Sequence, residues 1–198
     1  MNSEIFNPAL AGYQFVLASQ SPRRQTLLRE FGLPFTVDVR PVEETFDESL
    51  SPEKLAVYLA EKKASAFPGA DIAANTIIIT ADTVVAVNDN VMGKPENEED
   101  AKGMLKLLSG RSHQVITGVN LKSSTTEKHF SVSTKVFFKE LSDKEIDFYI
   151  KHYQPYDKAG AYGIQEWIGF AAITRIEGSY FNVVGLPVHA LYEALKNW

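Results

Sequence analysis

Short apolar runs alternate with amphipathic segments along the chain, a pattern that indicates strands and helices packed together. Apolar runs predict strands at 15–18, 35–39, 76–87, 113–122, 129–140 and 170–176. Helical spacing and end signals predict helices from 22 to Gly32, at 52–67, at 98–108, from 143 and at 187–196. The run at 76–87 is apolar almost throughout, which is typical of a central strand covered on both faces.

Several predicted helices begin with residues that favour a helix start. Ser21-Pro22 places a capping hydroxyl before a proline whose missing N–H costs nothing in the first turn, and the same arrangement recurs at 51–52. Ser142 is followed three residues later by Glu145, which forms a capping box. Helices and strands alternate, but the long β region in the middle has the spacing of hairpins. We therefore predict one α/β domain over residues 1–198, with a mixed sheet.

Composition and charge exclude several classes of protein. The chain has 198 residues, 44% of them hydrophobic, and 20 Lys and Arg against 25 Asp and Glu, a formal net charge of −5. This balance argues against a general nucleic-acid or membrane binder, which needs a basic excess. The absence of cysteine excludes a thiol nucleophile, a Cys-ligated zinc site and a disulfide scaffold. With no signal-peptide pattern and no apolar run of about 20 residues, we expect a cytoplasmic protein.

Arg23 and Arg24 occupy the first turn of the first predicted helix, where free N–H groups and the helix dipole favour negative charge. One explanation for two cations at this position is an anion site that binds phosphate. Ser19 and Ser21 would add hydroxyl donors to such a site. The alternative is that both arginines face solvent or pair with Glu30 or another surface acid. The pattern leaves both interpretations open.

Asp82 is a carboxylate inside the most apolar run of the chain, between Ile77-Ile78-Ile79 and Val84-Val85. An unpaired charge buried there would be costly. We therefore expect Asp82 to be paired, to bind a metal, or to face a cleft at a strand end, and the last two arrangements are common at catalytic sites. The structural alternative is an aspartate that turns a β-bulge.

Two weaker features place polar groups on turns. Lys94, between Gly93 and Pro95, puts a cation on a stiff, exposed turn. The segment 158–165 is rich in small residues that allow close backbone approach, and the Gln165 amide could contact a base edge, although a tight structural loop explains the same pattern. The histidines, at 113, 129, 152 and 189, lack metal-binding spacing, and no P-loop or Gly-x-Ser-x-Gly motif is present.

These segments, taken in order, resemble a known family. They are LASQSPRR at 17–24, ADTVV at 81–85, GKP at 93–95, Ser109-Gly110 with His113 and TGV at 117–119, and KAGAYGIQ at 158–165. Together they resemble the Maf family of nucleoside triphosphate pyrophosphatases over nearly the whole chain. The resemblance implies a two-lobed α/β fold similar to that of the inosine triphosphate pyrophosphatases, the anticodon-binding/ITPase-like fold, with the site in a central cleft.

The resemblance also implies an activity and residue roles. The family hydrolyses nucleoside triphosphates between the α and β phosphates, using a divalent cation, Mg²⁺ or alternatively Mn²⁺. The implied phosphate contacts are Ser19, Arg23, Arg24, Lys63 and Lys94. Asp82 is the implied proton acceptor, and Glu44 and Asp82 the implied metal ligands. Lys63 is placed by the pattern Leu59-Ala60-x-x-Lys63-Ala64, and Glu44 by Val42-Glu43-Glu44. Our hypothesis is that water attacks the α-phosphorus with Asp82 as base.

Substrate choice also follows from the resemblance. The positions that the family uses to select its substrate are matched here by Arg23, Thr83 and Gln165. The segment that ends in Gln165 resembles the branch of the family acting on dTTP and UTP rather than the branch acting on 7-methyl-GTP. Glu166-Trp167 follows where a glycine is expected. Two other functions stay open: a nucleotide-binding regulator of cell division or septum formation without turnover, and a pyrophosphatase for modified or deaminated purines. The family suggests a homodimer.

Overall fold

The computed structural model describes residues 8–43, 45, 47, 49–88 and 90–198. Its strands within these ranges are β1 Gln14–Leu17, β2 Thr36–Val37, β3 Thr76–Val87, β4 Asn90–Met92, β5 Ser112–Lys122, β6 Glu127–Phe138 and β7 Ile173–Glu177. Its α-helices are α1 Pro22–Glu30, α2 Pro52–Ser65, α3 Glu98–Leu108, α4 Asp143–Tyr153, α5 Trp167–Ala172, α6 Tyr180–Val184 and α7 Val188–Lys196.

The described strands form one mixed sheet in the order β2-β1-β3-β5-β6-β7, with β4 paired to β3. β1 runs parallel to β2 and β3, whereas β3, β5, β6 and β7 are antiparallel to their neighbours. The predicted mixed α/β sheet is therefore confirmed. Its β3–β5–β6 region is the hairpin-like middle of the chain.

Both faces of β3 are covered, as its apolar sequence predicts. On one face α2 contributes Leu55, Ala56 and Leu59 to a small core cluster with Val84, Ala86 and Ile116. The opposite face joins the main core, to which α3, α4 and α7 contribute buried leucine, isoleucine and tyrosine side chains. Within β3 only Asp82 and Thr83 are less than fully buried. The sheet is thus opened to solvent at two adjacent polar residues in the middle of this strand.

The predicted helix starts agree with the observed caps. The Ser21 and Ser51 side chains accept hydrogen bonds from the backbone N–H groups of Arg24 and Lys54. At α4 both halves of the Ser142–Glu145 capping box are formed. These local signals therefore place α1, α2 and α4 correctly.

The structure differs from the prediction at the C-terminal end of the chain. The strand expected at 170–176 begins only at Ile173, because residues 167–172 form α5. This helix packs closely on the loop before it, because a Cβ at Gly169 would overlap the Ile164 carbonyl. The short helix α6 was not predicted, and β2 is shorter than the predicted strand at 35–39. No helix in the described ranges is long and apolar enough to cross a membrane.

Candidate active site

A cleft of about 790 Å³ opens where Asp82 and Thr83 interrupt the buried pattern of β3. Its walls come from the β1–α1 turn, α2, β3, the Gly93-Lys94 turn, the segment 157–165 and the turn after α6. Every described residue that the sequence proposed for the site lines this cleft, namely Ser19, Arg23, Arg24, Lys63, Asp82, Thr83, Lys94 and Gln165. Glu44 lies outside the described residues.

The β1–α1 turn presents Ser19 and both arginines to the cleft. Ser21 caps α1 and Pro22 takes the first helical position, so Arg23 and Arg24 fall in the first turn as predicted. The Ser19 hydroxyl is buried, accepts from the Ser21 N–H at 3.2 Å and lies 3.4 Å from Arg24 Nη1. The turn therefore groups a hydroxyl, two guanidinium groups and a helix N-terminus at one side of the cleft.

The two arginines have different partners. Arg24 donates to the Gly185 carbonyl from Nε at 2.8 Å, to the Ala81 carbonyl from Nη1 at 2.8 Å and to Thr83 Oγ1 from Nη2 at 3.0 Å. It thus ties α1 to β3 and to the end of α6. Arg23 instead donates to Asp157 Oδ2 at 2.9 Å. Arg23 therefore pairs with an acid, as the alternative interpretation expected. This acid, Asp157, also lines the cleft.

Lys63 and Asp82 form a half-buried ion pair. The Lys63 ammonium donates to Asp82 Oδ1, with 20% of the lysine side chain and 15% of the aspartate side chain exposed. The β3–β5 register is unbroken through Asp82 and Gly118, so the β-bulge interpretation is wrong. Asp82 is paired, as one of the predicted arrangements required, and it lines a cleft from the middle of β3 rather than from a strand end.

Gly118 is what lets α2 bring Lys63 to this pair. It lies opposite Asp82 on β5, and a Cβ there would overlap the Ala56 carbonyl of α2. The Thr80 hydroxyl adds a 2.7 Å hydrogen bond to the Ala60 carbonyl. Sequence analysis assigned no role to Gly118, although its position in the segment 117–119 was part of the family resemblance.

Thr83 faces the other side of β3 and belongs to a buried polar cluster. Its hydroxyl lies 2.9 Å from that of Thr117, which donates to the Asn182 carbonyl at 3.2 Å. The Asn182 amide donates to the Val115 carbonyl at 2.9 Å and to Thr134 Oγ1 at 3.0 Å. This cluster supports the floor of the cleft behind Arg24. Asn182 was missed because its role depends on strands far away in sequence.

The segment 157–165 forms the wall opposite α1. Gly160 has a φ of +69° and its N–H donates to the Gly93 carbonyl at 3.0 Å, which joins this segment to the Lys94 turn. Tyr162 packs edge-on against His113 and Phe138, and its hydroxyl lies 2.7 Å from His113 Nε2. Burial lowers the pKa of His113 to about 4, so this histidine is a neutral core residue. Lys94 and Gln165 remain exposed at the cleft.

Nearly the whole chain matches a single protein-family model. The model described as Maf-like protein matches residues 14–198. The chain belongs to the Maf family. The resemblance drawn from the short segments is therefore confirmed over almost the full length.

Close relatives of this Maf chain carry the name dTTP/UTP pyrophosphatase. The protein of that name from Porphyromonas gingivalis is 50% identical over 191 residues, covering 96% of each chain. The one from Phocaeicola vulgatus is 52% identical over 188 residues, covering 94% of this chain and 97% of its own. Among solved structures, a nucleoside-triphosphatase/dITP/XTP pyrophosphatase from Mycobacterium abscessus aligns with a TM-score of 0.43 and 16% identity, over 63% of this chain and 74% of that one.

The donor set of this Maf site suits a metal ion that arrives with its ligand. The described residues contain no group of three or more His, Asp or Glu that could hold a metal alone. Asp82 nevertheless supplies a carboxylate in the cleft, and Mg²⁺ commonly binds through one or two carboxylates plus substrate phosphates. Asp82 could therefore hold a divalent cation together with phosphate oxygens of a ligand.

Proposed function

We propose that this chain hydrolyses dTTP and UTP to the nucleoside monophosphate and pyrophosphate. The observation that carries the proposal is that Arg23, Lys63 and Lys94 line the same cleft as Asp82. The names of relatives about 50% identical over nearly the whole chain support the choice of substrate. The cleft volume of about 790 Å³ also falls in the range of small-ligand pockets.

The charge of the cleft supports a polyphosphate ligand. A triphosphate carries about four negative charges, and an acidic protein needs a local concentration of cations to bind it. Arg23, Arg24, Lys63 and Lys94 supply these cations on three sides of the cleft. Ser19 and the first turn of α1 add hydrogen-bond donors. The triphosphate would therefore lie between the first turn of α1 and the turn that carries Lys94.

The Lys63–Asp82 pair supports hydrolysis by water. Phosphate oxygens compete with Asp82 for the Lys63 ammonium, so a bound triphosphate draws that cation towards itself. The freed Asp82 carboxylate can then accept a proton from the water that attacks the α-phosphorus. A divalent cation, Mg²⁺ or alternatively Mn²⁺, held by Asp82 and by Glu44 as implied by the family, would supply positive charge shared by the phosphate oxygens.

Base selection is assigned to the far side of the cleft. Gln165 is exposed at the cleft and offers an amide with one acceptor and two donor hydrogens, which suits the polar edge of a pyrimidine. Thr83 and Arg23 line the same cleft, consistent with their family positions. Gln165→Glu removes the donors and adds a negative charge, so we expect it to abolish the preference for dTTP and UTP.

A substrate panel tests the proposal. Pyrophosphate release is measured with Mg²⁺ on dTTP, UTP, CTP, 7-methyl-GTP and ITP, in parallel for the unsubstituted protein and Gln165→Glu. We expect dTTP and UTP to be preferred, and the preference to be lost in the variant. Nucleotide binding without pyrophosphate release would instead favour a regulator, and a preference for ITP would favour the modified-purine alternative.

The position of the attack is tested separately. Turnover of dTTP in water labelled with oxygen-18 should place the label in dTMP, because the water oxygen bonds to the α-phosphorus. Label in pyrophosphate would contradict attack at that phosphorus. Release of orthophosphate would show cleavage of a different anhydride bond.

A further inference from the structure

Glu166 and Trp167 stand where the family resemblance leads one to expect a glycine, directly after Gln165, the residue proposed to contact the base. Neither residue lines the cleft, whereas Gln165 and the residues just before it do. Both instead contact helix α4. Glu166 reaches Tyr149, and the Trp167 ring packs edge-on against Phe148 with a centroid distance of 4.9 Å.

The Glu166 carboxylate has a built set of partners. Its Oε2 accepts from the Tyr149 hydroxyl, and its Oε1 lies 3.0 Å from the Lys158 ammonium. The Tyr149 hydroxyl also accepts from the Gly163 N–H at 3.0 Å. Burial and the hydrogen bond to Glu166 raise the pKa of Tyr149 above its usual range, so the hydroxyl stays neutral and keeps its proton to donate.

These contacts fix both ends of the four-residue segment 163–166. One tyrosine hydroxyl joins Gly163, at the start, to Glu166, at the end. The Glu166 N–H donates to the Gly163 carbonyl at 3.0 Å, and a Cβ on Gly163 would come within 2.9 Å of the Glu166 carboxyl carbon. The backbone that carries Gln165 is therefore closed into a tight turn against α4.

The closed turn sets where the Gln165 side chain leaves the backbone, and therefore which part of a bound base its amide can reach. The amide of a freely moving glutamine can present either its oxygen or its NH₂ group. Uracil offers an acceptor at O4 and a donor at N3, whereas cytosine offers a donor at N4 and an acceptor at N3. A Gln165 whose backbone can shift would fit both edges, whereas one whose backbone is fixed can present to the base only the amide orientation that reaches it.

We propose that Glu166 is a positioning residue for base selection, holding the 163–166 turn through Tyr149 and Lys158 so that Gln165 discriminates uracil from cytosine. This inference rests on the proposed function and extends it to a residue outside the cleft. Lys158 also pairs with Asp157 at 2.6 Å. Loss of Glu166 therefore leaves Lys158 and the Asp157–Arg23 pair on the phosphate side in place.

The test compares kcat/KM for UTP and CTP in Glu166→Ala, Glu166→Gln and Tyr149→Phe. We expect Glu166→Ala to lower the UTP-to-CTP ratio at least about fivefold, chiefly through KM for UTP. Glu166→Gln keeps an oxygen that can accept from Tyr149 and should restore part of the ratio, and Tyr149→Phe should give an intermediate loss. Inorganic tripolyphosphate, as a competitive inhibitor, should keep its inhibition constant within about twofold, because it lacks a base.

Glu145→Gln is the matched control. Glu145 also pairs with a lysine, Lys139 at 2.6 Å, and lies on α4 away from the cleft. We expect its UTP-to-CTP ratio to equal that of the unsubstituted protein.

Two outcomes would overturn the proposal. An unchanged UTP-to-CTP ratio in Glu166→Ala would show that the turn does not govern selection. Equal losses for UTP, CTP and tripolyphosphate would show that Glu166 only stabilises the fold. If the proposed function itself is wrong, the unsubstituted protein releases no pyrophosphate. In that case the selection of UTP over CTP is measured as the ratio of their equilibrium dissociation constants.

Discussion

At the scale of single residues, adjacent arginines at the start of α1 have different roles. Arg24 satisfies two backbone carbonyls and a threonine hydroxyl. Arg23 makes one ion pair with Asp157, whose side chain is 59% exposed. Arg24 therefore stabilises the fold through its hydrogen bonds and also lines the cleft, whereas Arg23 is held mainly by its ion pair with Asp157.

We predict that Arg24→Lys lowers the free energy of unfolding by about 1–3 kcal/mol, because a lysine cannot satisfy the same three acceptors. Arg23→Lys should change it by less than about 1 kcal/mol but raise KM for dTTP. Urea unfolding and steady-state kinetics measure the two effects. Arg29→Lys, on the exposed last turn of α1, is the control. Equal destabilisation by the Arg23 and Arg24 variants would contradict the assignment.

His113 predicts a pH dependence of stability. Burial lowers its pKa from 6.5 to about 4, so below pH 6.5 the unfolded chain binds a proton that the folded chain does not. The folded protein therefore keeps its full stability above pH 6.5, and its free energy of unfolding decreases as the pH falls towards 4. Between pH 7.5 and 5 the loss should be about 2 kcal/mol.

Urea unfolding at these two pH values measures the loss, and His113→Gln should remove most of it. Carboxyl groups, including the Asp157 side chain, titrate below the range from pH 5 to 7.5. Partial burial opposes ionisation of Asp157, but hydrogen bonds from Lys158 and Arg23 lower its pKa to about 2. An equal pH dependence in the variant would contradict the role given to His113.

At the scale of elements, the contact between α2 and β5 sets the Lys63–Asp82 pair. A Cβ at Gly118 would overlap the Ala56 carbonyl, so we predict that Gly118→Ala shifts α2 and lowers the free energy of unfolding by about 1–3 kcal/mol. Lys63 moves with the helix, so turnover should fall as well.

Gly103→Ala is the matched control for that variant. Gly103 lies inside α3, and an added Cβ meets nothing within 4 Å. Its replacement should stabilise the protein by about 0.5–1 kcal/mol, because alanine is the better helix former. A Gly118→Ala variant as stable and active as the unsubstituted protein would contradict the close approach of α2.

Elements with strong local signals were predictable, whereas those fixed by distant contacts were not. The apolar run at 76–87 and the helix at 98–108 coincide with β3 and α3. The apolar residues at 170–172 look like a strand, yet they belong to α5, whose Gly169 lies against the Ile164 carbonyl. α6 is held by the buried Asn182 amide, which contacts Val115 at a separation of 67 residues. No local pattern carries that information.

At the scale of the whole molecule, the site is assembled from segments that are far apart in the chain. Arg23 meets Asp157 across 134 residues, and Arg24 meets Gly185 across 161. The sequence predicted which residues line the cleft, through broken local rules and the family resemblance. It did not predict these pairings or the α4 contacts of Glu166, because they depend on how the elements pack.

The Asp82→Asn variant tests whether the Asp82 carboxylate acts on a triphosphate held in this cleft. The measurements are kcat for dTTP and the dissociation constant of the nucleotide. Asp147→Asn is the control, because Asp147 is an exposed aspartate that pairs with Lys102. We predict that Asp82→Asn lowers kcat by at least about 100-fold, the effect of losing a general base. Binding should persist, because Arg23, Lys63 and Lys94 remain. Full turnover by Asp82→Asn would contradict the account.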